Sequence, residues 1–173
     1  MVKYEQFKKR IEEIKKILEL ENDNIMIKLM PNEYYNKKPF CDYKAVYQSE
    51  HNAIFINPNS FKEYSLSEMT AIVAHELFHS YQNKNNPSIF ETQINTNYES
   101  VGLEYVKQPL EMEAYAFQTA IYMMYEECSA KFELDGIDIE TSNKINELAE
   151  EYYQKYKDKF VEIVYNDCFS KNN

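Results

Sequence analysis

Glycine is almost missing from this chain: there are two in 173 residues, with five prolines. So few turn formers cannot serve the many tight turns of a sandwich or barrel, so helices should dominate. Cysteine is scarce too. Cys41, Cys128 and Cys168 are scattered, odd in number and without a C-x-x-C pair. That excludes a disulfide framework and points to free thiols in a reducing compartment. No stretch approaches the roughly 18 apolar residues of a membrane span. The opening M-V-K-Y-E-Q-F-K-K-R lacks the apolar core of a secretory signal. The expectation is a cytoplasmic protein that does not enter a membrane. Positive charge is also in deficit, 19 basic against 29 acidic side chains, for a net charge of −10. A field of that sign repels phosphate backbones and argues against a nucleic-acid partner. Neither a fixed-period repeat nor a low-complexity tract is present.

What is present is a foldable core. Hydrophobic residues make up 44% of the chain and aromatics 15%, at a length sufficient for one core and short for two. A single domain over 1–173 is expected. Tyr4, Phe7, Ile11, Ile14 and Ile17 or Leu18 recur at helical spacing, predicting a first helix to about Leu20. Its lysines, Lys8, Lys9, Lys15 and Lys16, alternate with glutamates as on a salt-bridged exposed face. Three short β-prone runs follow, Ile25–Leu29, Tyr43–Gln48 and Ala53–Ile56. The stretch from Ser88 to Gln108 has no clear period and reads as a long loop or short helices. Pro109 suits the first turn of a second apolar helix, lined by Leu110, Ala114, Phe117, Ile121 and Met124. A turn at Gly136 precedes a last helix from about Glu140 to Phe169, and the final S-K-N-N should fray.

The chain centres on Ser65–Gln82, S-L-S-E-M-T-A-I-V-A-H-E-L-F-H-S-Y-Q. Ser65 followed by Glu68 is a capping-box signature for a helix start. Two of only three histidines, His75 and His79, stand four apart, which places them about 40° apart around the axis and one turn above each other. Their imidazoles can converge on one ion, and imidazole suits zinc. Glu76, between them in H-E-x-x-H, can take a proton from water at that ion. The rest of the helix is so apolar that burial nearly all round is expected.

A catalytic zinc site ordinarily has a third protein ligand. No histidine follows at the spacing that would supply it, since positions 82 and 85 are Gln82 and Asn85. Glu111 and Glu113, in the first turn of the Pro109 helix, are the candidates. Glu113 shares a stripe with Leu110, Phe117 and Met124, whereas Glu111 lies to one side.

Between Asn52 and Tyr125 the chain resembles a small gluzincin-type zinc metallopeptidase. In that family a glutamate on a helix after H-E-x-x-H completes the site, often as E-x-x-A. Glu111-Met112-Glu113-Ala114 matches that pattern, and the resemblance assigns the third ligand to Glu111. Tyr115 departs from it, standing where those enzymes often place an acid or amide that supports a ligand histidine. The resemblance implies a zincin-like α+β fold, with an N-terminal helix, a small three-stranded or slightly larger sheet, the buried H-E-x-x-H helix and a helical C-terminal half. It also implies one zinc ion held by His75, His79 and Glu111, with Glu76 activating the zinc-bound water for hydrolysis of a peptide or protein substrate. Ala53–Asn57 is expected to be an edge strand, along which the peptide adds in extended form. Tyr98, Tyr105 and His51 are candidate donors to the oxyanion. The competing expectation is a catalytically silent binding or regulatory module of the same fold. Oligomeric state leaves no mark in the sequence.

Overall fold

The computed structural model describes residues 2–38, 42–95 and 103–169. Cys41, Tyr98 and the expected frayed S-K-N-N tail lie outside them. The chain is α+β. It opens with α1 (Val2–Ile17), which buries Phe7, Ile11, Ile14 and Ile17. The helix ends at Ile17 rather than Leu20 because Glu19 turns left-handed, at φ 58°. The Glu19 N–H donates to the Lys16 carbonyl at 3.2 Å and the Leu20 N–H to that of Lys15 at 2.8 Å, a Schellman closure with glutamate in the glycine position.

Next come β1 (Met26–Leu29), a short α2 (Asn32–Tyr35), β2 (Ala45–Gln48), a 3-10 turn over Ser49–His51, and β3 (Ala53–Ile56). The strands form one mixed sheet in the order β1-β3-β2, β1 parallel and β2 antiparallel to β3. This corrects the expectation that Ala53–Asn57 is an edge. Asn52, left-handed at φ 44°, closes a hairpin that fixes β2 on one side of β3, and the chain from β1 pairs along the other. The burial pattern gives the reason: Ala53, Ile54 and Ile56 are almost fully enclosed, and so apolar a strand belongs in the middle. Among the described residues, the open edges belong to β1 and β2.

After α3 (Ser60–Glu63), α4 runs over Leu66–Asn85. Its start is the capping box read from the sequence: the Ser65 N–H donates to Glu68 Oε2 at 2.7 Å, and the Glu68 N–H to Ser65 Oγ at 3.2 Å. Residues on every side of the helix are buried, from Met69 and Val73 to Thr70, Ser80 and Gln82. Two helices occupy the stretch without clear period, α5 (Pro87–Asn95) and α6 (Leu103–Val106). They lead into α7 (Pro109–Glu126) and the long α8 (Ile139–Phe169).

The core lies where α4 meets α7 and the sheet. Phe78 of α4 stacks on Phe117 of α7 at 4.8 Å, and Ala114 and Ala120 carry no bulk to hold the helices apart. On its other side α7 meets α8 through Phe117–Tyr156 and Tyr125–Phe160 ring contacts. The lysine face of α1 carries the expected exposed pairs, Lys8–Glu5 and Lys15–Glu12. Glu13 departs from that reading: it is buried, and it accepts from Lys9 at 3.2 Å and from the Tyr125 hydroxyl at 2.7 Å. Arg10 lies over the Tyr125 ring and donates to Ser67 Oγ, so this polar cluster ties α1 to both α4 and α7. Among the described residues no helix is long and apolar enough to cross a membrane.

Candidate metal centre

His75 and His79 leave α4 one turn apart, and their Nε2 atoms stand 3.1 Å from each other. Pro109 starts α7 so that its first turn faces them, and Glu111 enters the gap with 2% of its surface exposed. Glu111 Oε2 is 3.3 Å from His75 Nε2 and Oε1 is 3.2 Å from His79 Nε2. The three side chains form a buried group whose donor atoms all lie within 4.8 Å of one another, able to hold a metal ion. Glu113 is turned elsewhere. Its Oε2 accepts from Gln82 Nε2 at 3.0 Å.

The donor set fits such an ion on three counts. Ligand atoms about 2.05 Å from a tetrahedral centre stand roughly 3.3 Å apart, which is close to the spacing here. Two imidazoles and a carboxylate are a composition zinc accepts. And Glu111 Oε2 is buried without a hydrogen-bond partner among the described residues, a costly position that a cation would relieve.

Electrostatics follow from the burial. Burial alone would depress the His79 imidazole, but the charge and hydrogen bond of Glu111 outweigh it, helped by Glu76 and Gln82, and raise it from 6.5 to about 9. Burial works against ionising Glu111 as well; His79 first, then His75, reverse this and hold the carboxyl well below the ordinary range.

The supports of the two histidines differ. His79 Nδ1 is 2.8 Å from Gln82 Oε1. His75 Nδ1 is buried with no partner among the described residues, and the ring of Tyr115 packs against this imidazole at 4.5 Å.

Glu76 is half-buried, and its Oε2 accepts the backbone N–H of Tyr47 at 2.7 Å. Tyr47 lies on β2 opposite Ile54, and because its N–H goes to Glu76 rather than across to β3, alternation along the ladder turns the backbone groups of Ala45 and Tyr47 outward. Tyr47 is itself held by its hydroxyl, which donates to Asn52 Oδ1 at 3.1 Å and accepts from Asn83 Nδ2 at 3.2 Å. Phe90 of α5, 1% exposed, meets the rings of both Tyr47 and His79.

Of the three candidate oxyanion donors, one feels the charges of this centre. Tyr105, on α6 and with 38% of its surface exposed, has a phenol raised above the ordinary value by its partly buried setting first and then by the charges of Glu111 and Glu76. His51 is exposed in the turn between β2 and β3 and does not join the metal-holding group. Tyr98 lies outside the described residues. Sequence reasoning missed the Tyr47 N–H, which belongs to the backbone and has no residue signature, and Phe90, the buried member of a polar stretch. It passed over Gln82 as well, although a residue three after His79 lies on the same helix face.

Comparison of the chain with protein-family models, curated proteins and solved structures finds no match.

Proposed function

We propose that this protein is a zinc-dependent peptidase in which His75, His79 and Glu111 hold the ion and Glu76 is the general base. One observation carries the reading: two imidazoles and a buried carboxylate from a second helix converge beside a further carboxylate that β2 holds in place. Bound there, a zinc ion supplies Lewis acidity, polarising a carbonyl and acidifying water.

The protein's own groups divide the remaining work. The Tyr47 N–H fixes one oxygen of Glu76, leaving the other to take a proton from the attacking water and return it to the departing amine. Tyr105, whose phenol is shifted upward, stays protonated near neutral pH and donates a hydrogen bond to the oxyanion. Phe90 and Tyr115 wall the histidines and limit water around the reacting carbonyl. An extended peptide pairs along the outer edge of β2, through the backbone groups of Ala45 and the Tyr47 carbonyl.

The test is the Glu76→Gln protein, purified without a His tag. Near-stoichiometric zinc in both proteins, with cleavage of a peptide library lost only in the variant, supports the reading. Zinc retained with no cleavage by the wild type would instead favour a binding module. Absence of zinc from both would remove the metal.

A further inference from the structure

Gln82 makes three hydrogen bonds that tie the His79 limb of the site to the turn carrying Glu111. Its Oε1 faces His79 Nδ1 at 2.8 Å. Its Nε2 donates to the Leu110 carbonyl and to Glu113 Oε2, both at 3.0 Å. Leu110 and Glu113 bracket Glu111 in sequence, so one amide grips the α7 turn on both sides of the buried carboxylate.

A primary amide has two N–H donors and one carbonyl acceptor. Here both donors face acceptors, a carbonyl and a carboxylate, neither of which can donate. The amide orientation is thereby fixed, with oxygen toward His79. His79 must then carry its hydrogen on Nδ1, and its Nε2 lone pair is aimed at Glu111 and His75. No such constraint acts on His75, whose Nδ1 meets no partner among the described residues.

We infer that Gln82 is a positioning residue that sets the tautomer of His79 and holds α7 in register against α4, with Glu113 as the anchor of its amide rather than a metal ligand. This rests on the metal reading above. It also accounts for two glutamates in one helical turn: Glu111 enters the site, and Glu113 orients the group that orients a ligand. Partners of this kind, on the far nitrogen of a metal-binding imidazole, typically govern affinity by about 10–100-fold.

The test measures zinc affinity of the full chain by competition with a chromophoric chelator, at a temperature where circular dichroism shows each protein folded. Gln82→Met keeps the length of the side chain and removes all three bonds. The expected result is zinc binding weakened by about 10–100-fold, with a smaller loss in Glu113→Gln, whose amide oxygen still accepts from Gln82. Unchanged affinity in Gln82→Met overturns the inference, as does a loss in Glu113→Gln that matches Glu111→Gln, because Glu113 would then be the ligand. Should Gln82→Met fail to fold, nitrogen-15 NMR of the zinc-loaded wild type decides. A proton on His79 Nδ1, slow to exchange, is the expected signature, and a proton on Nε2 refutes the assignment. Failure of the wild type to bind zinc at all would instead strike at the metal reading, before Gln82 comes into question.

Discussion

Tyr115 packs its ring 4.5 Å from the imidazole of His75, and the buried Nδ1 of that histidine has no hydrogen-bond partner among the described residues. When His75 presents Nε2 to an ion, its Nδ1 carries a hydrogen. A buried donor without an acceptor costs about 1–3 kcal/mol. The aromatic ring offers packing where an acceptor would offer support.

Tyr115→Asn puts a short acceptor on the same helical face. We expect zinc to bind about 10-fold tighter, at the low end of what such partners contribute, as read by chelator competition. The metal-free protein should lose stability, because the ring also packs on Phe132 at 5.0 Å. Zinc affinity that falls or stays level in the variant would mean that Nδ1 is satisfied some other way.

The helix pair that carries the candidate metal-holding residues depends on Phe117, which is fully buried and stacked on Phe78. Truncating such a ring typically costs about 3–5 kcal/mol, a large part of the roughly 5–15 kcal/mol available to a domain. Phe117→Ala should therefore be marginal with zinc removed. Zinc at about 100 times its dissociation constant returns roughly 2.7 kcal/mol by binding only the folded form. Urea denaturation with and without zinc checks both figures. A variant that melts identically in the two conditions would separate the packing of α4 on α7 from metal binding.

How much of this was legible in the sequence divides along the range of the interactions. The capping box at Ser65 and Glu68, the histidine pair and the Pro109 helix start are local patterns, read within a few residues and reproduced in the structure. Position in the sheet is not local. The same apolar run, Ala53–Ile56, fits an edge or a middle strand until β1 is seen pairing along its second side. The choice between Glu111 and Glu113 needed the rotation of α7 about its axis, which the Phe78–Phe117 stack and the small Ala114 decide. Glu76 illustrates the limit best, since its partner is a backbone N–H that no pattern of side chains encodes.

Glycine scarcity leaves a mark that can be measured. Glu127 closes α7 at φ 49°, its N–H bonded to the Met123 carbonyl, in the left-handed position where glycine is the usual residue. A side chain there costs about 1 kcal/mol. Glu127→Gly relieves that strain but gives the unfolded chain more freedom. The difference, a net gain of roughly 0–0.6 kcal/mol, is expected from urea unfolding. Destabilisation would mean that the Glu127 side chain makes a contact outweighing the strain.

The His79–Glu111 pair predicts how metal-free and zinc-loaded protein should diverge with pH. In chelated protein the His79 proton is held more tightly when folded, to about 9 against an ordinary 6.5. A raised folded pKa stabilises fully below 6.5, and that contribution disappears as pH rises through about 9. Glu111 has the opposite sign: its carboxyl is lowered from 4.5, so its contribution is present above 4.5 and lost as pH falls below it. Chelated protein should thus be most stable between about 4.5 and 6.5 and soften toward alkaline pH. Zinc must displace the His79 proton, so its affinity should rise over the same alkaline interval, with protons released on binding. The stabilisation by zinc should therefore grow with pH while the metal-free protein weakens. Melting curves in matched buffers with chelator or with excess zinc test the divergence, and parallel curves across pH 6 to 9 would show that the imidazole and carboxylate do not share a proton in the metal-free protein.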